Sequence, residues 1–223
     1  GIFLLILILI PGIGKEVNGS MRWIQLGPFS LQASEPVKLF FIAYLAGYMV
    51  RHRETVRTNF TGFISPIIVL TLISILLLLE PDFGATVVLF GTALGMLFMG
   101  GVSLIRFSAW VSVAVAFLST VAVLSPYRLQ RLMSFVDPWK DPYDSGFQLT
   151  QALIAFGQGD WFGVGLGSSV QKLFYLPEAH TDFIFSVLAE ELGLLGSITM
   201  ILLYSFIVWR AFVIGHIAER VEK

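Results

Sequence analysis

The chain has 223 residues, 56% hydrophobic and 13% charged, with a net charge of −1, and its mean hydropathy is +0.83. An ordinary soluble domain is ~25% charged, so this composition identifies an integral membrane protein and leaves no basic surface for nucleic acid. Cysteine is absent, which excludes disulfides, thiolate catalysis and Cys-based metal sites without fixing the compartment.

The first apolar run, "IFLLILILI", ends at Pro11 and reaches about half-way across a bilayer core. No basic stretch precedes it, so it reads as the tail of a truncated helix rather than a signal peptide. A loop from Gly12 to Ser34 follows. The next span is expected over Glu35–Val50, with Ser34 as N-cap and Pro36 in the first turn, where proline is tolerated. Further spans are expected over Phe63–Leu79, Ala85–Met99 and Phe107–Ser125, and a last one between Phe183 and Ile214. Together they make one transmembrane domain over residues 1–223. A long loop, 126–182, interrupts it and holds a short helix at "GFQLTQALIAFG" and flexible backbone at "GVGLGSS".

Lys and Arg in short loops set orientation. Arg51, Arg53, Arg57, Arg106, Arg210, Arg220 and Lys223 all fall on one side, assigned to the cytoplasm. The loops 12–34 and 126–182 then face outward. The "GTALG" stretch, Gly91 to Gly95, has the small-xxx-small spacing of close helix packing. "NGS" and "NFT" match the glycosylation pattern, but this topology puts them on opposite sides. There is no Walker loop, HExxH motif or nucleophile elbow, and no internal repeat or heptad pattern.

Titratable groups gather at the outer surface. In "YLPEAHTDFIF", Glu178, His180 and Asp182 alternate just before an apolar run. Asp182 is a candidate base, because a partly desolvated carboxylate gains basicity. Spacing alone favours the plainer reading, in which Thr181 or Asp182 is the N-cap of the following helix. His180 is a base, a ligand or a plain surface histidine, and Glu178 after Pro177 also suits a turn. Glu190 and Glu191 lie about two turns further on. They are either carboxylates within the hydrocarbon, marking function, or surface groups ahead of a membrane that begins near Leu192. Glu35 and Lys38 share a helix face, as a packing ion pair or as a grip on an anionic headgroup. Glu80 and Asp82 in "EPDFG" mark a helix end or bind a cation. Arg22, Arg128, Arg131 and Lys172 are outward-facing cations able to clamp a pyrophosphate, or to sit among lipid headgroups. These readings stop at a polytopic membrane protein with an acidic, partly basic outer pocket.

The segments "GSMRWIQLGPFSLQASEPVKL", "LLLLEPDFGATVVLF" and "PYRLQRLMSFVDPWKDPYDSGFQLTQALIAFGQGDWFGVGLGSSVQKLFYLPEAHTDFIFSVLAEELG" together resemble the shape, elongation, division and sporulation (SEDS) family, its division branch more than its elongation branch. The resemblance implies an all-α, polytopic fold of about ten helices, of which this chain has room for about five and a half. Ala33 stands where many members carry proline.

It also implies a peptidoglycan glycosyltransferase in the bacterial cytoplasmic (inner) membrane at the division septum, polymerising lipid II at the outer face. Asp182 matches the family's essential loop aspartate, which makes it the implied base for the acceptor sugar's 4-hydroxyl. Lys172, Glu178, His180, Arg128, Arg131, Glu35, Lys38 and Arg22 are the candidate substrate-binding residues. A second acid is not required, since pyrophosphate leaves unprotonated once its charge is stabilised. No cofactor is required outright; a divalent cation, Mg or Mn, is one candidate for that stabilisation. The implied partners are a class B penicillin-binding protein transpeptidase and other divisome membrane proteins. The competing functions are a lipid II flippase and a non-catalytic divisome scaffold. Spans 63–79 and 85–99 carry no charge, so polar groups cluster on the outer half, which favours surface chemistry over transport.

Overall fold

A computed structural model describes residues 1–10, 14–17, 20–26, 29–176 and 179–221. The chain divides into two compact units, 1–121 and 122–223, described here one at a time.

The first unit comprises α1 (Ile2–Ile8), strands β1 (Gly14–Val17), β2 (Ser20–Leu26) and β3 (Phe29–Gln32), α2 (Ser34–Arg51), α3 (Arg53–Thr58), α4 (Ile64–Leu79), α5 (Phe83–Met99) and most of α6 (Leu104–Val123). Every expected span is a helix. Two of them, Phe60–Leu79 (α4 with its leading 3-10 turn) and Leu104–Val123, are long and apolar enough to cross a membrane. α5 has 17 residues. α2 has 18 residues, with Glu35 in its first turn and Arg51 in its last. Each of α2, α4 and α5 turns one stripe inward: Val37, Phe41 and Leu45; Leu70, Ile73 and Leu77; Leu89, Ala93 and Leu97. That spacing is the helical repeat of three to four residues. The opposite faces, with Leu39, Phe40, Ile68, Leu72, Val87 and Val88, are exposed, as lipid-facing surfaces are. Two hydroxyls inside these helices bond back one turn, Ser74 Oγ to the Leu70 carbonyl at 2.7 Å and Thr92 Oγ1 to Val88 at 2.8 Å, so neither is an orphan donor in hydrocarbon.

The loop between α1 and α2 holds a small sheet that the apolar pattern did not announce. β1, β2 and β3 pair antiparallel in sequence order, with Val17 opposite Ser20 and Leu26 opposite Phe29. Ser34 is not the cap of α2: it is the first helical residue, and Ala33 takes the cap position, its carbonyl accepting from Val37 N at 3.3 Å. The Ser34 hydroxyl is instead buried. The Gly91–Gly95 stripe packs against none of the described residues. The buried α5 residues are Leu89, Ala93 and Leu97, and a Cβ added at either glycine meets open space.

The two ends of this unit are chemically distinct. At one, Arg57 Nε donates to the Gly100 carbonyl at 2.9 Å and Tyr48 Oη to Gly62 at 2.8 Å, gathering the basic loops. At the other, the sheet meets the Glu80–Asp82 turn.

The second unit comprises α7 (Pro126–Val136), α8 (Phe147–Gly159) and α9 (Ile184–Val221). α7 is a helix where a polar loop was expected, and none of its residues is buried. α8 is the short helix anticipated at "GFQLTQALIAFG". It packs on α9 through Phe156 and Phe185, ring centroids 5.8 Å apart. The apolar stretch Ile184–Ala218 exceeds one crossing because α9 is two helices joined at a break. Gly193 sits at φ 67°, ψ −162°, a conformation essentially reserved to glycine. The helical families on both sides of that break, with the spans of the first unit, make the chain a multi-pass membrane protein.

Candidate functional site

Two clusters of polar groups stand out, one in each unit. The first lies where α4 ends and α5 begins. Asp82 caps α5, its Oδ1 accepting from Ala85 N at 3.1 Å, as the N-cap role requires. Glu80 is 1% exposed, and neither of its carboxylate oxygens has a partner among the described residues. Burial, and then the charge of Asp82, push the Glu80 carboxyl up to about 8 against the opposing pull of Arg22. Arg22 itself donates through Nε to the Glu80 carbonyl at 3.3 Å and through a second nitrogen to the Pro81 carbonyl. It therefore holds the end of α4 through its backbone oxygens, which the helix leaves unpaired. Glu35 and Lys38 form the ion pair their spacing suggested, at 2.7 Å and partly exposed.

The second cluster surrounds the start of α9. Val187 N donates to the Phe183 carbonyl at 3.2 Å, so Phe183 holds the cap position and the helix starts at Ile184. Neither Thr181 nor Asp182 occupies that position. Asp182 is exposed, and no hydrogen bond or ion pair engages its carboxylate among the described residues. Its neighbour His180 is exposed and Ala179 is buried. Glu178 lies outside the described residues. Lys172 does not stand alone: its ammonium pairs with Glu191. Arg131 lies over the Tyr127 ring on α7, 5.1 Å from its centroid, a cation–π contact, and Arg128 projects from the same helix.

Glu190, one of two carboxylates whose sequence reading was left open between hydrocarbon and surface, is in neither place. It is 0% exposed and buried against the protein's own loop. Ser169 Oγ donates to its Oε2, and Val170 N donates to its Oε1 at 3.0 Å. The "GVGLGSS" segment is accordingly pinned rather than flexible. Val164 N reaches the Glu190 carbonyl at 3.0 Å and Gly165 N the Glu191 carbonyl at 3.1 Å. Sequence reasoning missed Ser169 and this pairing. The available signal was the acid itself, since a buried carboxylate must find donors. Among the described residues no three His, Asp or Glu side chains converge to hold a metal ion.

A free carboxylate at the mouth of a membrane helix, beside a pinned glycine-rich loop bearing a lysine, suits proton abstraction at a lipid surface. Known proteins resemble the chain over nearly its full length. The family model of the cell cycle proteins FtsW, RodA and SpoVE matches residues 1–222. The probable peptidoglycan glycosyltransferase FtsW of Nitrosococcus halophilus is 60% identical over 100% of this chain and 57% of its own length. That of Thioalkalivibrio sulfidiphilus is 57% identical over 98% of this chain and 54% of its own. The chain thus spans a little over half the length of these curated relatives. Among solved structures, one described as "Structural coordination of polymerization and crosslinking by a peptidoglycan synthase complex" superposes with a TM-score of 0.67 at 32% identity, covering 95% of this chain and 58% of that one. A mutant of the rod shape determining protein RodA of Thermus thermophilus shares the fold at a TM-score of 0.57 and 24% identity, covering 95% of this chain and 52% of that one. With a family match over nearly its full length, the chain belongs to the FtsW/RodA/SpoVE family of cell cycle proteins.

Proposed function

We propose that this chain carries the base-bearing part of a peptidoglycan glycosyltransferase that polymerises lipid II for septal wall synthesis. The observation that carries the reading is Asp182, exposed and not spent on capping, one residue before the cap position of α9. In the proposed step its carboxylate takes the proton from the 4-hydroxyl of an acceptor GlcNAc. That oxygen attacks the anomeric carbon of a lipid-linked MurNAc, and the bond to undecaprenyl pyrophosphate breaks with inversion. No general acid is needed, because the departing pyrophosphate carries its charge away. Arg128, Arg131 and Lys172 are the cations of the same unit available to stabilise it. Relatives named as probable peptidoglycan glycosyltransferases support this reading, as does the likeness to a complex of polymerisation and crosslinking.

A class B penicillin-binding protein is the proposed partner, crosslinking the strand as it forms, with the long loop 126–182 on the outer side of the membrane. The test uses the full-length protein with that partner. Asp182→Asn is expected to abolish glycan-strand synthesis from lipid II while leaving the fold intact. Robust synthesis by that variant sinks the assignment. Loss of lipid II translocation in liposomes, without polymerisation by the wild type, replaces it with transport. Repeating the wild-type assay in chelator checks whether a divalent cation takes part.

A further inference from the structure

We infer that Glu190 is a positioning residue, which with Glu191 fixes the loop 164–172 to α9, the helix that Asp182 immediately precedes. This rests on the glycosyltransferase reading and deepens it. Five donors from that loop converge on two consecutive residues. The Glu190 side chain takes Ser169 Oγ and Val170 N, and its carbonyl takes Val164 N. The Glu191 carbonyl takes Gly165 N, and its carboxylate takes the Lys172 ammonium. Lys172 N in turn donates to Ser169 Oγ at 3.1 Å, so the hydroxyl that serves Glu190 also orders the backbone of Lys172.

The lock works in both directions. Glu190 is fully buried, and a carboxylate there is tolerable only while its donors stay in place. The loop cannot lift without stranding that charge. The first two turns of α9 separate Ile184 from Glu190 by about 9 Å along the helix, and Asp182 sits in the turn just ahead of them. Pinning Lys172 at Glu191 therefore sets its distance from the carboxylate of Asp182. The proposed reaction needs such a separation, with base at one end and cation at the other. Glu190 touches neither sugar nor phosphate; it acts through the loop it holds.

The test is made on the full-length protein with its transpeptidase partner, polymerising lipid II. Glu190→Gln is expected to lower kcat by about 10–100-fold, the scale of an ångström-size misplacement, with KM for lipid II unchanged. The acidic limb of the kcat–pH profile keeps its midpoint, because Asp182 is untouched. Amide exchange across 164–172 accelerates. Wild-type kcat in a folded Glu190→Gln overturns the proposal. So does disappearance of the acidic limb, which makes Glu190 itself the titrating base. If Glu190→Gln does not fold, Ser169→Ala decides, since it keeps the acid and removes one donor. Faster exchange with lower kcat supports the lock, and wild-type behaviour in both overturns it. Asp182→Asn in the same assay separates the two levels. An active Asp182→Asn defeats the polymerase reading, whereas an inactive one beside an unaffected Glu190→Gln defeats only the positioning role.

Discussion

Arg22 binds the main chain of Glu80 and not its carboxylate: the guanidinium donates to the Glu80 carbonyl at 3.3 Å, while both carboxylate oxygens lie buried without a partner among the described residues. The acid is thus desolvated next to a cation whose hydrogen bonds are directed elsewhere. Its carboxyl is raised from 4.5 to about 8, by burial first and by Asp82 second. Between those values the folded state binds the proton and the unfolded chain releases it. Stability from this group is complete below pH 4.5 and is lost as pH rises through about 8. Glu80→Gln, which stays neutral, is expected to flatten this decline and to raise the melting temperature at pH 8, by on the order of a few kcal/mol in stability. At pH 4.5 the variant and wild type should melt together. Thermal melts of the detergent-solubilised protein across pH 4.5–8.5 check this, and parallel slopes in the two proteins contradict it.

Gly193→Ala is expected to be among the most damaging single-methyl additions in the chain. Its φ and ψ cost an L-residue about 1–3 kcal/mol in strain alone. A Cβ there would also sit 2.6 Å from the carbonyl carbon of Trp161, which is backbone and cannot rotate away. The loop 160–165 should detach from the break in α9. Detachment appears as rapid amide exchange at Leu194 and Leu195, whose N–H groups donate to the Asp160 and Trp161 carbonyls. Protection equal to wild type at those two amides contradicts it.

α7 is expected to lie in the headgroup region of the membrane. Leu129, Leu132, Met133 and Val136 recur at helical spacing and are exposed, while Arg128, Gln130 and Arg131 occupy the other side, as in interfacial helices. Leu132→Trp in a background without other tryptophans should emit at short wavelength and be quenched by lipids brominated near the headgroup. Quenching by aqueous iodide alone places the helix in water and rejects the assignment.

Lys38→Met is expected to change stability by no more than about 0.5 kcal/mol, since its pair with Glu35 is partly exposed and such pairs contribute little. The measurement is a melting curve. A large fall in polymerisation at unchanged stability then assigns Lys38 to substrate.

Membrane spans were legible from residue type alone because the bilayer imposes one rule, a long apolar run, on each. The bounds of α2, α4 and α5 follow within a few residues. The sheet was hidden because β2, "SMRWIQL", alternates only weakly. The Asn18-Gly19 pair between β1 and β2 is a hairpin signal that the glycosylation reading of "NGS" obscured. The cap of α2 was misplaced by one residue because serine at the boundary is a strong local preference that packing overrode, burying Ser34 instead. Asp182 was visible as a carboxylate at the edge of an apolar run, but its proposed role as base came from resemblance. Its freedom from capping required coordinates. Glu190 was visible as an acid out of place; its partners, some twenty residues earlier, were not, because sequence spacing carries no information about a loop folding back on a broken helix.

The loop that folds back is stitched to α9 rung by rung: Asp160 to Leu194, Trp161 to Leu195, Val164 to Glu190, Gly165 to Glu191. Such a ladder reads position more strictly than chemistry. Side chains at its outward tips, Phe162 and Leu166, are free to vary, whereas inserting or deleting one residue between 160 and 170 moves every rung out of step at once. A length change in this segment is therefore expected to disturb the fold more than a substitution at its exposed tips.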